Sequence, residues 1–396
     1  MAKLPRLKAG FARLVEPCTR ALERARWGSY YAGLHNNLDP DLHIREAAEW
    51  LMRAQDAGSD RGVSYGAVFG KGFAPSYPET TGYIICTFLD LAEFYADDRY
   101  LQRALEAADW EIAVQMPSGA VMGGVFNTNP TPAVFNTGQV LLGWAALLRK
   151  TGHKRFAEAG HRAAAWLVSM QEENGCWIRG NSAHANPHTT VYNVMAAWGL
   201  AEFGRAAGDE QALSAATRNA EYALSRQTDN GWFADCCLND AARPLLHTLG
   251  YTMQGLVGIG RLTGRQDLIQ SASRTADSLL QLMDVDGFIP GRLDRNMRPA
   301  AAWACLTGTA QTSSVWSELF RCSGDQRYRE AVSRANRYLM ARHDVSNRDP
   351  VIRGGVAGSW PVWGDYGRLM VLNWAAKFFV DALLAEKSLA AADVLV

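Results

Sequence analysis

Two kinds of helical segment alternate along this chain. The first has apolar and alanine positions at three-to-four spacing, with Arg, Glu and Gln between them. It runs over roughly 42–55, then 99–116, 154–171, 210–227, 266–283 and 326–342. That is the pattern of a half-exposed helix with one face on a core. The second kind is almost free of charge and occupies 80–96, 137–150, 190–206, 248–262, 309–321 and 368–385. Helices that are apolar all round are buried on all sides.

A recurring joint ends each uncharged segment and starts the next charged one. It reads Thr151-Gly152-His153-Lys154, Ala207-Gly208-Asp209-Glu210, Thr263-Gly264-Arg265-Gln266 and Ser323-Gly324-Asp325-Gln326. Asp97-Asp98-Arg99 is the same joint without glycine. Gly closing one helix and a polar residue opening the next are cap chemistry. The near-constant spacing of these glycines predicts a stacked or ring-shaped repeat.

Six buried and six half-exposed helices fit an inner ring inside an outer ring. The small residues of the inner helices let them crowd about an axis, which favours closure over an open solenoid. The expected fold is all-α, an (α/α)6 toroid spanning 42–396. A basic helical arm, 1–41, is expected to pack on the ring. All short joints then fall at one end. The long loops, rich in Gly, Pro, Asn and aromatics, fall at the other and form a working face.

Composition narrows the partners. The 396 residues carry 40 Lys and Arg against 40 Asp and Glu. A neutral balance gives no electrostatic reason to expect nucleic acid. Seven cysteines without a framework spacing read as free thiols in a reducing compartment. No run is apolar enough for a membrane span, and no secretory signal is evident. A cytoplasmic enzyme without a metal or cofactor is therefore expected. The segment Met1–Arg26 is basic, with its apolar residues on a helical pattern. Contact with a membrane surface and packing under the ring both stay open for it.

The loops repeat a Gln or Asp, a few polar residues, Gly and an aromatic: Gln171 to Trp177, Gln227 to Phe233, Asp284 to Phe288. A tight turn with a rim aromatic explains this motif, and so does an aromatic platform for sugar rings. Each inner helix opens on a Thr-containing phrase, and a threonine N-cap accounts for the Thr. It does not account for Glu79, Asn136, Gln139, His188, His247 or Gln311, which the ring brings to one mouth. The last repeat places Trp360, Trp363, Asp365, Tyr366 and Arg368 within ten residues. Arg243 and Arg292 lie in other working-face loops. Arginines at the cleft of a neutral protein suit an anionic ligand such as a uronate.

The six hairpins and the Gly-aromatic turns resemble the six-hairpin toroids. These include uronyl hydrolases of families 88 and 105, polysaccharide lyases, the C-terminal domain of glucuronyl C-5 epimerases, and prenyltransferase and terpene-cyclase repeats. The phrases Phe135-Asn136-Thr137-Gly138-Gln139 and Asn373-Trp374-Ala375-Ala376-Lys377-Phe378 are similar to toroid proteins of bacterial exopolysaccharide biosynthesis. The resemblance implies a carbohydrate-active enzyme on an anionic, uronate-containing glycan. It abstracts the C-5 proton as an epimerase or lyase. His188, His247, Tyr366 and Glu79 are the candidate acids and bases. Asn136, Gln139, Tyr192, Arg243, Arg292, Trp360, Trp363, Asp365 and Arg368 would bind the substrate. A glycoside hydrolase using Glu79, Asp235, Asp240 or Asp365 is the first alternative. A glycan-binding ring and a prenyl-type toroid are the others.

Overall fold

The computed structural model describes residues 37–127, 129–181 and 190–393. Twelve helices are found among them. The outer ones are α1 Pro40–Asp56, α3 Asp98–Val114, α5 Lys154–Met170, α7 Glu210–Ser225, α9 Gln266–Leu282 and α11 Gln326–Met340. The inner ones are α2 Pro78–Tyr95, α4 Val134–Thr151, α6 Val194–Ala207, α8 Leu246–Thr263, α10 Leu306–Ser323 and α12 Asn373–Asp393. Each inner helix packs on the next inner helix, and α12 returns to α2, so the ring is closed. Each outer helix packs on the inner helix before it, and α1 packs on α12. The fold is the all-α (α/α)6 toroid. Helix α1 starts at Pro40, with Asp39 accepting a cap bond from Asp41 N. The arm expected over residues 1–41 lies, up to residue 36, outside the described residues. No helix among the described residues is long and apolar enough to cross a membrane.

The joints form as their sequence dictates. Gly152, Gly208, Gly264 and Gly324 all lie at positive φ, between 67° and 73°. Asp97, Asp209 and Asp325 cap the following helices through their carboxylates.

The threonines behave differently from the cap expected of them. Helices α2, α4, α8 and α10 begin two or three residues earlier and have no side-chain N-cap. Thr81 and Thr137 therefore sit inside the first turn, where each hydroxyl donates to the carbonyl four residues back. Each also accepts from a loop amide, Val63 N and Val121 N, both at 2.9 Å. The hydroxyls pin long loops rather than start helices.

The Gly-aromatic turns are structural too. Gly119, Gly175, Gly231 and Gly287, all at positive φ, lie on the backbone of the next outer helix. Gln171 donates its amide to Gly175 O and to Ala215 O of α7, and Gln227 reaches Ser271 O of α9. Trp177 and Phe233 are fully buried. This overturns the reading of these aromatics as sugar platforms, because core packing takes their faces.

The last unit seals the ring. Strand β5 (Met370–Leu372) pairs antiparallel with β1 (Gly66–Val68), which also pairs with β2 (Gly72–Phe73). That pairing explains why α12 starts at Asn373 and not at residue 368. Strands β3 (Ala304–Cys305) and β4 (Ser359–Trp360) form a second pair. Asn373 donates to Ser64 O and to the Thr80 hydroxyl, tying the last inner helix to the first. Near the seam His43 and His343 meet Nδ1 to Nδ1 at 2.8 Å, and burial pushes the His343 imidazole down to about 3.

The inner ring is tight enough for a single methyl to matter. A Cβ on Gly199 of α6 would overlap the Gly138 carbonyl of α4. Backbone cannot yield as a flexible side chain does. Gly199→Ala is expected to lower unfolding stability by about 1–3 kcal/mol despite its better helix propensity. Urea unfolding with an unchanged or higher midpoint would contradict this packing.

Candidate active site

The first turns of α2 and α8 and the last long loop bring together the groups with chemistry at the loop end. Glu79 stands in the first turn of α2, directly after Pro78, and keeps partial exposure. Tyr77 donates its phenol proton to Glu79 Oε2 at 2.8 Å. Burial raises the Glu79 carboxyl to about 7, with the Tyr77 bond opposing the shift. Near neutral pH the carboxyl is therefore poised between its two protonation states. Tyr65, Tyr83, Tyr192 and Tyr251 all feel its charge.

His247 stands in the first turn of α8 and is 5% exposed. Its Nδ1 lies 2.6 Å from Gln311 Oε1, and Gln311 Nε2 donates to Gln254 Oε1 at 2.9 Å. In this arrangement the Gln311 carbonyl oxygen faces the ring and its NH2 faces Gln254. A carbonyl oxygen only accepts, so Nδ1 carries the proton and Nε2 holds the lone pair. Burial pushes the imidazole down to about 4, against the Gln311 bond, so His247 is neutral at pH 7. Its ring packs 4.2 Å from Tyr251 and 5.3 Å from Tyr366, centroid to centroid.

Tyr366 completes the cluster. Its phenol oxygen accepts from Trp374 Nε1 at 2.7 Å. Burial comes first among the causes that hold this phenol well above its usual range. The neighbouring groups Cys305, Tyr251 and Tyr65 push in the same direction, and the Trp374 bond opposes them. Tyr366 is a proton donor at neutral pH, not a phenolate. Tyr65 bridges the two sides, packing on Tyr77 at 5.5 Å and on Trp374 at 4.8 Å.

The substrate-binding candidates divide. Tyr192 joins the aromatic cluster, 5.1 Å from Phe135 and 6.2 Å from Tyr251. Trp360, Trp363 and Arg368 are half-buried, and Asp365 is exposed. Asn136 is fully buried, and its amide nitrogen is taken by Met122 O at 2.8 Å. Gln139 is equally buried, although neither of its amide atoms has a hydrogen-bond partner among the described residues. Arg243 is exposed and held by Asp240, three residues away, so it does not reach the cluster. Arg292 donates to the Arg243 carbonyl, and its charge is felt at Cys305, where α10 begins. His188 lies outside the described residues.

Tyr65, Tyr77, Tyr251, Trp374 and Gln254 were not singled out by the sequence. Tyr251 had a signal: Thr248-Leu249-Gly250-Tyr251 repeats the spacing of Thr80-Thr81-Gly82-Tyr83. The two phenols meet at 3.3 Å.

The amide relay gives a test of its own. Gln311→Leu removes the acceptor at Nδ1 and leaves the ring free to change tautomer. Nitrogen NMR of the histidine rings is expected to report a proton on Nδ1 in the parent and a mixed or Nε2-protonated ring in the variant. Identical spectra would remove the relay from the account.

No protein-family description matches the chain, and no curated protein matches it. Solved structures do. An unsaturated glucuronyl hydrolase specific for heparin superposes with a TM-score of 0.71 at 14% identity, covering 88% of this chain and 97% of the other. Cellobiose 2-epimerase from Bacillus thermoamylovorans gives 0.70 at 11% identity, over 86% and 97%. A family 88 glycosyl hydrolase from Bacteroides vulgatus gives 0.62 at 11% identity, over 87% and 98%. At these identities the likeness establishes the toroid and leaves the reaction open.

Proposed function

We propose that this toroid is a carbohydrate-modifying enzyme that moves a proton at a sugar carbon, in the manner of a uronate C-5 epimerase or lyase. One observation carries the reading: a carboxyl group raised to about 7 shares a buried aromatic cluster with a neutral imidazole and a protonated phenol. A carboxylate lifted into this range is a stronger base than an exposed one and remains partly ionised at neutral pH. In the proposed step Glu79 takes the C-5 proton, and the electron pair left behind delocalises into the substrate carboxylate. Tyr366 returns a proton to carbon for epimerisation, its oxygen held by the Trp374 N–H as negative charge develops. In a lyase the electron pair instead expels the C-4 substituent. His247 Nε2 accepts a substrate hydroxyl and orients the ring. Arg292, whose charge is felt at Cys305 at the start of α10, and Arg368, two residues from Tyr366, are the arginine candidates for the substrate carboxylate.

A hydrolase is the second reading, favoured by the glucuronyl hydrolases among the structural neighbours. The usual carboxyl pair is poorly supported. Asp235 pairs with Arg226 at 2.6 Å, Asp240 with Arg243, and Asp365 is exposed. The experiment is incubation with uronate-containing oligosaccharides in heavy water. Deuterium at C-5 is expected; glycosidic cleavage without exchange would replace this proposal with the hydrolase.

A further inference from the structure

The end of the ring opposite the long loops holds a cavity of about 820 Å³, walled by all six inner helices. That is the size of a small-molecule site. Along every helix the wall changes character. Toward the middle of the ring it is apolar, with Tyr83, Leu142, Met195, Val257, Val315 and Phe378, one from each inner helix. Tyr83 touches Tyr251, and Phe378 touches Tyr251 and His247. Neither Tyr251 nor His247 lines the cavity. These side chains form a floor between the cavity and the candidate active site.

In the last two turns of the same helices the wall is charged. The sign alternates from helix to helix around the rim: Glu93, Arg149, Glu202, Arg261, Glu318 and Lys387. Arg149 pairs with Glu202, Arg261 with Glu318, and Lys387 with Asp41 of α1 at 2.8 Å. Between rim and floor stand Asp90 and Lys377. Lys377 is held by Asp381, which also accepts from the Thr87 hydroxyl at 2.7 Å. The lining thus carries five acids and five cations, with no net charge. An ion of either sign brought among them meets as much repulsion as attraction, and it loses its hydration. Uncharged hydroxyls fit better. They donate to the carboxylates and add to the charge pairs without replacing any. The floor below favours carbon.

We propose that the joint-end cavity is a second ligand site, for an uncharged amphiphile whose hydroxyl-bearing head sits among the alternating charges and whose carbon chain or ring covers the apolar floor. An alkyl glycoside has this chemistry. Two features support it independently: the floor to which all six inner helices contribute, and the alternation of sign above it. The site does not depend on the proton chemistry proposed for Glu79, because its occupancy is read without turnover.

Methyl NMR of the full chain labelled at its methionines tests this, with n-octyl-β-D-glucoside added below its micellar concentration. The Met195 signal, assigned through Met195→Leu, is expected to shift saturably, and glucose alone is expected to leave it in place. Octyl sulfate and octyltrimethylammonium carry the same chain, and each should bind about tenfold more weakly. Ser388→Trp, at the exposed rim, narrows the mouth and should weaken the glucoside by about tenfold. Lys387→Glu leaves the floor intact and makes the rim acidic, so it should move the preference toward the ammonium probe. A Met195 signal that stays still would overturn the proposal. So would shifts confined to Met370 at the loop end, an ionic probe that binds the parent as tightly as the glucoside, or affinities that neither variant changes.

Discussion

Glu79→Gln is expected to lower the rate of deuterium exchange into a uronate substrate by about 10²–10⁴-fold. The amide keeps the size and the hydrogen bond from Tyr77, so folding and substrate affinity should change little. What is lost is the proton acceptor of the cluster whose strength matches neutral pH. The parent enzyme carries a second signature of the same group. As a base Glu79 must be ionised, so kcat/KM should fall as pH drops through about 7, where its carboxyl titrates. An ordinary exposed carboxylate would place that limb near 4. Exchange by the Glu79→Gln variant within tenfold of the parent, or a limb near 4, would take Glu79 out of the base role.

Acid should weaken the fold well before the surface carboxylates titrate. His247 is held at about 4 by burial, while an unfolded chain titrates near 6.5. Below pH 6.5 the unfolded state gains a proton that the folded state refuses, so stability falls as pH falls until about 4 is reached. Between pH 7.5 and 5 the loss is about 2 kcal/mol for this one group. His343, held at about 3, acts in the same direction at the seam. Urea midpoints at the two pH values measure the sum. In His247→Gln the pH-dependent loss should shrink by about the share of His247. If the parent and the variant lose equal stability, the imidazole is not buried as described.

The ring itself was legible because its two helix types differ in charge, and because its joints repeat with cap chemistry. Helix starts were less so. Thr81 and Thr137 look like caps in sequence, but their hydroxyls are engaged by loop amides that lie far away along the chain. The start of α12 depended on a strand pairing between residues 66–68 and 370–372, across nearly the whole sequence. Glu79 and His247 stood out as polar residues that capping could not explain, Tyr366 as part of the divergent last repeat, and the fold gathers them in one aromatic cluster. Arg243 stood out as a working-face arginine, yet Asp240 claims it locally. The joint-end cavity was invisible because Asp90, Lys377 and Asp381 are scattered charges in helices that read as uncharged. Only closure of the ring turns them toward one space.

The Asp41–Lys387 pair has a topological consequence. It sets the end of α12 beside the start of α1, the same inner-to-outer relation that the other five units make through a short joint. The ring thus has six equivalent crossing points, five covalent and one open. Where the break falls is incidental to the packing. A circular permutant that links residues 393 and 40 and opens at Gly208 would keep every inner–inner and inner–outer neighbour.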